Sequence, residues 1–190
     1  APNAAAVIRR NGVDCAIDRF SRRGIAEIDD FLASSPARVW AELADPNSLR
    51  RAVAFGDQLV RFPRPSFENR TAPFCTVDEL LGFINEVTEE ITLRKPRGLS
   101  QDEWRFLRQT LLNLQQYASL IRVGADSPPE THLRLALLNA GLPEPSLPYP
   151  VEVDGRIITV IDIAFPEAKI ALHYDGAPHL TPESMARDIA

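Results

Sequence analysis

The stretch Tyr149–Gly176, YPVEVDGRIITVIDIAFPEAKIALHYDG, decides how the C-terminal part of this chain folds. Tyr149–Val153 reads as a strand, Asp154-Gly155 as a two-residue turn that tolerates left-handed backbone, and Arg156–Phe165 as a second strand. Pro166-Glu167-Ala168 turns the chain again, and Lys169–Asp175 reads as a third strand ended by Gly176. The second strand carries Ile157, Ile158, Val160, Ile161 and Ile163 on both faces, the pattern of a central strand covered on both sides. Asp162 sits within it, on the face of Val160 and Ala164 by strand alternation. An ionised carboxylate at such a place is costly unless it is paired or binds a metal ion. On the third strand Ile170, Leu172 and Tyr174 point to one side, and Ala171, His173 and Asp175 to the other. Neighbouring strands lie about 4.8 Å apart, so Asp162, His173 and Asp175 are expected to cluster. His179, just beyond the strand end, lies within reach.

Working outward, Ser127-Pro128-Pro129-Glu130 has an N-cap serine, proline at the first helical position and an acid at the third. Leu133, Leu137 and Ala140 follow as an apolar stripe, and Gly141 with Pro143 stops the helix. Gly124-Ala125-Asp126 breaks the preceding pattern, and a domain boundary is placed there, giving regions 1–125 and 126–190. Nine of the 16 prolines fall after it. Upstream, Thr76 with Glu79 and Ser100 with Glu103 have capping-box spacing. Val77, Leu80, Leu81, Ile84, Val87 and Ile91 then form one stripe. Trp104, Leu107, Leu111, Leu114, Ala118 and Ile121 form another, with the three-and-four steps of a coiled-coil-like seam. Two packed core helices explain both stripes; a homodimer through the Trp104–Ile121 helix is the alternative. Residues 61–75 carry three prolines and read as a loop, and residues 5–33 as helix. Thr181-Pro182-Glu183 begins a last helix.

Composition bounds the function. With 190 residues, 45% of them hydrophobic, the chain builds a core, and no apolar run approaches the roughly 18 residues of a membrane span. No secretory signal is visible, which, with Cys15 and Cys75 far apart, points to a reducing cytoplasm. The missing initiator Met suggests a fragment or a processed chain. Residues 1–126 hold 17 basic and 17 acidic residues, and residues 127–190 hold 4 and 9. The acidic end suits a metal site, an acidic surface or nothing special, rather than a simple polyanion partner. Arg50 and Arg51, or Arg94, Lys95 and Arg97, are the better placed cations for DNA, although a solvated surface explains them too.

Two quoted stretches carry a resemblance: SPPETHLRLALLNAGLPEP at 127–145 and DGRIITVIDIAFPEAKIALHYDGAPH at 154–179. Residues 126–190 resemble the endonuclease-like domains common in actinobacterial proteins. Those are similar to very-short-patch mismatch-repair endonucleases, within the PD-(D/E)XK nuclease superfamily. The resemblance implies an α/β (α+β) fold, with a restriction-endonuclease-like mixed sheet behind a mostly helical N-terminal region. It also implies DNA as partner, Mg²⁺ or Mn²⁺ as cofactor, and phosphodiester hydrolysis. By the same resemblance Glu130, Asp162, Asp175 and His179 are the catalytic set, and Asp162, His173 and Asp175 the metal set. Relatives usually read Glu-Tyr-Asp-Gly where this chain reads His173-Tyr174-Asp175-Gly176. Imidazole is a poor Mg²⁺ ligand and a better one for Mn²⁺ or Zn²⁺. The place of the catalytic lysine is taken by Asp175. Taken singly, Asp162 also reads as a backbone-bonded acid, Asp175-Gly176 as a turn, His173 as a core histidine and Glu130 as a capping residue. A catalytically degenerate, DNA-binding or antitoxin-like scaffold is the second functional reading, and an interaction module built on the Trp104–Ile121 seam the third.

Overall fold

Local signals start each of the long helices. In the computed structural model, which describes residues 23–28, 30–65 and 68–174, Thr76 and Ser100 each accept a hydrogen bond from the backbone N–H of the glutamate three residues on, and that glutamate reaches back to the cap N–H. These are complete capping boxes. They open α3, Val77–Leu93, and α4, Gln101–Ala118. The other described elements are β1 (Ile25–Ile28), β2 (Phe31–Ser34), α1 (Pro36–Leu43), α2 (Leu49–Val60), α5 (Pro128–Asn139), β3 (Tyr149–Val153), β4 (Arg156–Ile161), β5 (Ile163–Phe165) and β6 (Ile170–Leu172). The described chain is therefore mixed α/β, with five helices and three two-stranded antiparallel sheets, β1–β2, β3–β4 and β5–β6. The single mixed sheet expected from sequence is not formed among the described residues. Nor is any described helix long and apolar enough to cross a membrane.

The chain divides into two compact units. The first comprises the described parts of Ala1–Ala52 with Cys75–Leu120. Its core is the expected pair of stripes: Leu80, Ile84, Val87 and Ile91 of α3 against Leu107, Leu111, Leu114 and Ala118 of α4, all buried. The seam of α4 is thus covered inside the unit, and α1 packs on α3 beside it. Trp40 is fully buried and its indole N–H donates to the Ala52 carbonyl at 2.9 Å. Helix was expected through residue 33, but Ile25–Ile28 and Phe31–Ser34 pair as strands β1 and β2; residues 5–22 and 29 of that expectation lie outside the described residues. Cys75 is buried, and desolvation pushes its thiol up to about 11.

The second unit comprises the described parts of Val53–Phe74 with Ile121–Ala190. At its centre is an acid, Asp57 of α2, with no exposed surface. It accepts from the Arg122 N–H at 2.8 Å, the Thr131 hydroxyl at 2.7 Å and the Arg134 guanidinium at 3.3 Å. Burial raises the Asp57 carboxyl pKa against the pull of those donors and of the Arg134 charge. The expected stripe of α5, Leu133, Leu137 and Ala140, is therefore not its buried face. Thr131, Arg134 and Leu135 are buried, while Leu133 and Leu137 are half-exposed and Ala140 is exposed. Gly124 has φ +115°, and a Cβ there would meet the Leu147 carbonyl, so only glycine brings this loop against residue 147.

The hairpin forms as the sequence predicts. Asp154 (φ 50°) and Gly155 (φ 73°) are both left-handed, the geometry of a two-residue hairpin turn. Tyr149 pairs with Ile161 and Val153 with Arg156, with a bulge at Val151/Glu152. Two expectations are corrected here. The second strand is not continuous: it breaks at Asp162, where the chain leaves its pairing with β3 and takes up pairing with β6, Ile163 opposite Leu172. Nor is it covered on both sides. Ile157 is 60% and Ile158 62% exposed, and β4 pairs with β3 alone. Only Ile163 and Ala164, after the break, are buried. The third strand is shorter than expected, Ile170–Leu172. Residues from Asp175 on, including Gly176, His179 and the Thr181 helix start, lie outside the described residues.

Candidate functional site

Asp162 owes its position to the strand switch. Released from both ladders, its side chain turns toward the end of β6, where Oδ2 accepts the Tyr174 N–H at 2.9 Å. His173 Nδ1 lies 3.7 Å from the same oxygen. The antiparallel register makes this meeting unavoidable: with Ile163 opposite Leu172, Asp162 and His173 are the next facing pair. The Asp162 and His173 side chains are 33% and 47% exposed, so both are open to a ligand. Two of the predicted site residues are thereby brought together. Asp175 and His179 fall outside the described residues.

Glu130 is held differently from the expectation. Ser127 is the N-cap residue of α5, but its side chain caps no helical N–H. Instead its hydroxyl donates to Glu130 Oε1 at 2.6 Å, and the Asp126 N–H donates to Oε2 at 2.8 Å. Each oxygen of this residue, only 6% exposed, thus accepts one bond from the chain itself and keeps a second acceptor site.

Sequence reading missed the cation of this region. Arg64, from the proline-containing loop after α2, places Nη2 2.7 Å and Nε 2.9 Å from Asp126 Oδ2. Its pKa is raised, first by that hydrogen bond and then, against burial, by the charges of Asp126, Glu130 and Asp162. Its side-chain bonds run to Asp126, while Glu130 and Asp162 act on it through their charge. Close by, Glu68 accepts from Arg61 at 2.7 Å, Arg70 at 2.7 Å and the Arg64 N–H at 3.2 Å. Those bonds hold the Glu68 carboxyl down to about 2, with Arg70 the first cause. The available signal was compositional: Arg61, Arg64 and Arg70 around one glutamate in ten residues.

Among the described residues no group of three His, Cys, Asp or Glu side chains stands ready for a metal ion. Asp162 and His173 supply two donors, an oxygen and a nitrogen. Their 3.7 Å separation is close to the roughly 3 Å between adjacent ligands of an octahedral ion. Two such donors could fill part of a cation's shell, and an oxygen–nitrogen set suits Mn²⁺ or Zn²⁺ better than Mg²⁺.

The chain is similar to two uncharacterized proteins of Mycobacterium tuberculosis, from strains CDC 1551 / Oshkosh and H37Rv. Each is 35% identical over 65 residues, which cover 34% of this chain and 24% of the relative. The chain thus spans about a quarter of the length of the curated relatives it matches. No protein-family model matches it, and no solved structure does.

Proposed function

We propose that residues 126–190 form a PD-(D/E)XK-like endonuclease unit that hydrolyses phosphodiester bonds in DNA with the help of a divalent ion. The observation that carries this reading is the meeting of Asp162 and His173 across the β5–β6 register, at the positions where the family resemblance places metal ligands. Asp162 and His173 would hold the ion, with Asp175 as the third ligand of the motif. A bound divalent ion lowers the pKa of a coordinated water and offsets charge on the phosphoryl oxygens. The chain's own part is positional. The strand switch aims Asp162 at the end of β6, and the Tyr174 N–H fixes its Oδ2. Glu130, held by Ser127 and the Asp126 N–H, would add negative charge beside the ion, as the resemblance implies for the acid of the first helix.

The test is nicking of supercoiled plasmid by the full chain in Mn²⁺, Mg²⁺ and EDTA, with Asp162→Ala as control. Ion-dependent nicking that the control abolishes is the expected result. One feature favours the second reading, a degenerate scaffold that binds DNA without cutting it: His173 stands where the resemblance has a carboxylate. Duplex binding with no nicking in either ion would decide for it.

A further inference from the structure

A cleft of about 620 Å³ opens in the second unit, between the end of α5 and the β5–β6 pair. Its apolar lining includes Leu137 of α5, Leu142 just beyond that helix, and Phe165, Ile170 and Leu172 of the two strands. The register explains the last three. Phe165 faces Ile170 and Ile163 faces Leu172, so alternation puts Phe165, Ile170 and Leu172 on one face of the sheet. Leu142 is 45% and Ile170 49% exposed, and an apolar body that displaces water from such a surface is bound favourably. The volume falls within the roughly 300–1,000 Å³ of small-ligand sites. Neither Asp162 nor His173 lines this cleft.

The polar groups of the lining select the charge of the ligand. They are Glu144, Ser146 and Glu167, and no lysine, arginine or histidine among the described residues joins them. Glu144 is committed to other partners: Oε1 accepts from Arg134 at 3.0 Å and Oε2 from Arg122 at 3.3 Å. Glu167 lies in the turn between β5 and β6 and is exposed, with no ion pair to its carboxylate among the described residues. Ser146, fixed by its backbone bridge to Ala164, adds a hydroxyl oxygen that can accept a further N–H. An anion would meet Glu167 with no counter-charge in the lining, whereas a cation meets a carboxylate.

We propose that this cleft binds a small apolar amine, its hydrocarbon part against Leu142, Phe165 and Ile170 and its ammonium group toward Glu167. The site is independent of the nuclease reading.

The experiment titrates the ¹⁵N-labelled full chain at neutral pH with octylamine, octanol and octanoate, three probes of one chain length and different charge. Amide shifts of Ala168, Ile170 and Leu172 report the binding. Octylamine is expected to bind tightest, on the order of five-fold more tightly than octanol, with octanoate weakest. Glu167→Gln should cost octylamine about three- to five-fold and leave octanol unchanged. Ala168→Trp, which puts an indole into the cleft from an exposed position, should weaken octylamine and octanol alike. Octanoate binding as tightly as octylamine overturns the proposal, as does an octylamine affinity that Glu167→Gln leaves unchanged. Shifts confined to residues outside the cleft, or no shifts with octylamine, overturn it too. Sedimentation velocity of the unliganded chain tests a different occupant: a dimer that Ala168→Trp splits would give the cleft to a second copy and overturn the amine site.

Discussion

His173 stands 3.7 Å from Asp162, at a position where the family pattern has a carboxylate. A neutral imidazole there removes one anion from the site and exchanges a hard oxygen donor for nitrogen. Mg²⁺ prefers oxygen ligands and sheds water reluctantly, whereas Mn²⁺ accepts imidazole. Wild-type nicking is therefore expected to be faster in Mn²⁺ than in Mg²⁺. His173→Glu should narrow or reverse that preference, raising the Mg²⁺ rate by about ten-fold, the equivalent of about 1.4 kcal/mol. Single-turnover nicking rates in the two ions check this. An unchanged rate and ion preference in the variant would mean that His173 is no ligand. The residue pair itself was legible in the sequence, because strand periodicity and a tight turn are local facts. The engagement of Glu130 was not, because its partner is the Asp126 backbone, whose direction no side-chain pattern reveals.

At the scale of elements, what was legible depended on how far the cause lay from its effect. The capping boxes of α3 and α4 and the Asp154-Gly155 turn were legible because each is decided within about four residues. The exposure of β4 was misread because β-branched, apolar residues report a preference for extended backbone, not what covers it. The buried face of α5 was misread because Asp57, far away in sequence, makes Thr131 and Arg134 the inward residues. The chemistry after α2 is local by contrast. There the Glu68 carboxylate is held down to about 2 by Arg70, Arg64 and Arg61 against an ordinary 4.5. A carboxyl whose pKa falls on folding stabilises the native state above its unfolded value. That contribution is lost as pH drops through the folded value. Wild type should therefore lose stability between pH 4.5 and 2 more steeply than Glu68→Gln, and the two should converge near the acid end. Thermal melts by circular dichroism across that range test the direction. Parallel acid limbs would show that the Glu68 bonds add nothing to stability.

At the scale of the whole molecule, the formal charge of −5 argues against a broad electrostatic grip on DNA, and the second unit shows why in detail. Arg134 is fully buried on Asp57 and Glu144. Arg61 and Arg70 are committed to Glu68, with side chains only 15% and 18% exposed. Arg122 pairs with Glu144. Among the described residues of that unit, Arg64, Arg156 and Lys169 remain as exposed cations. Counterion release makes the salt dependence of binding a count of such contacts, with a slope near −0.9 per phosphate on duplex DNA. Two or three contacts predict a loss of affinity of roughly ten- to forty-fold between 50 and 200 mM salt. Fluorescence anisotropy of a labelled duplex over that range measures it. A loss near a thousand-fold would require an extended basic surface drawing on Arg50, Arg51, Arg94, Lys95 and Arg97 as well. Salt-independent binding would remove phosphate contact, and with it the nuclease reading, from consideration. A small count would instead fit a grip on one phosphate group and its immediate neighbours.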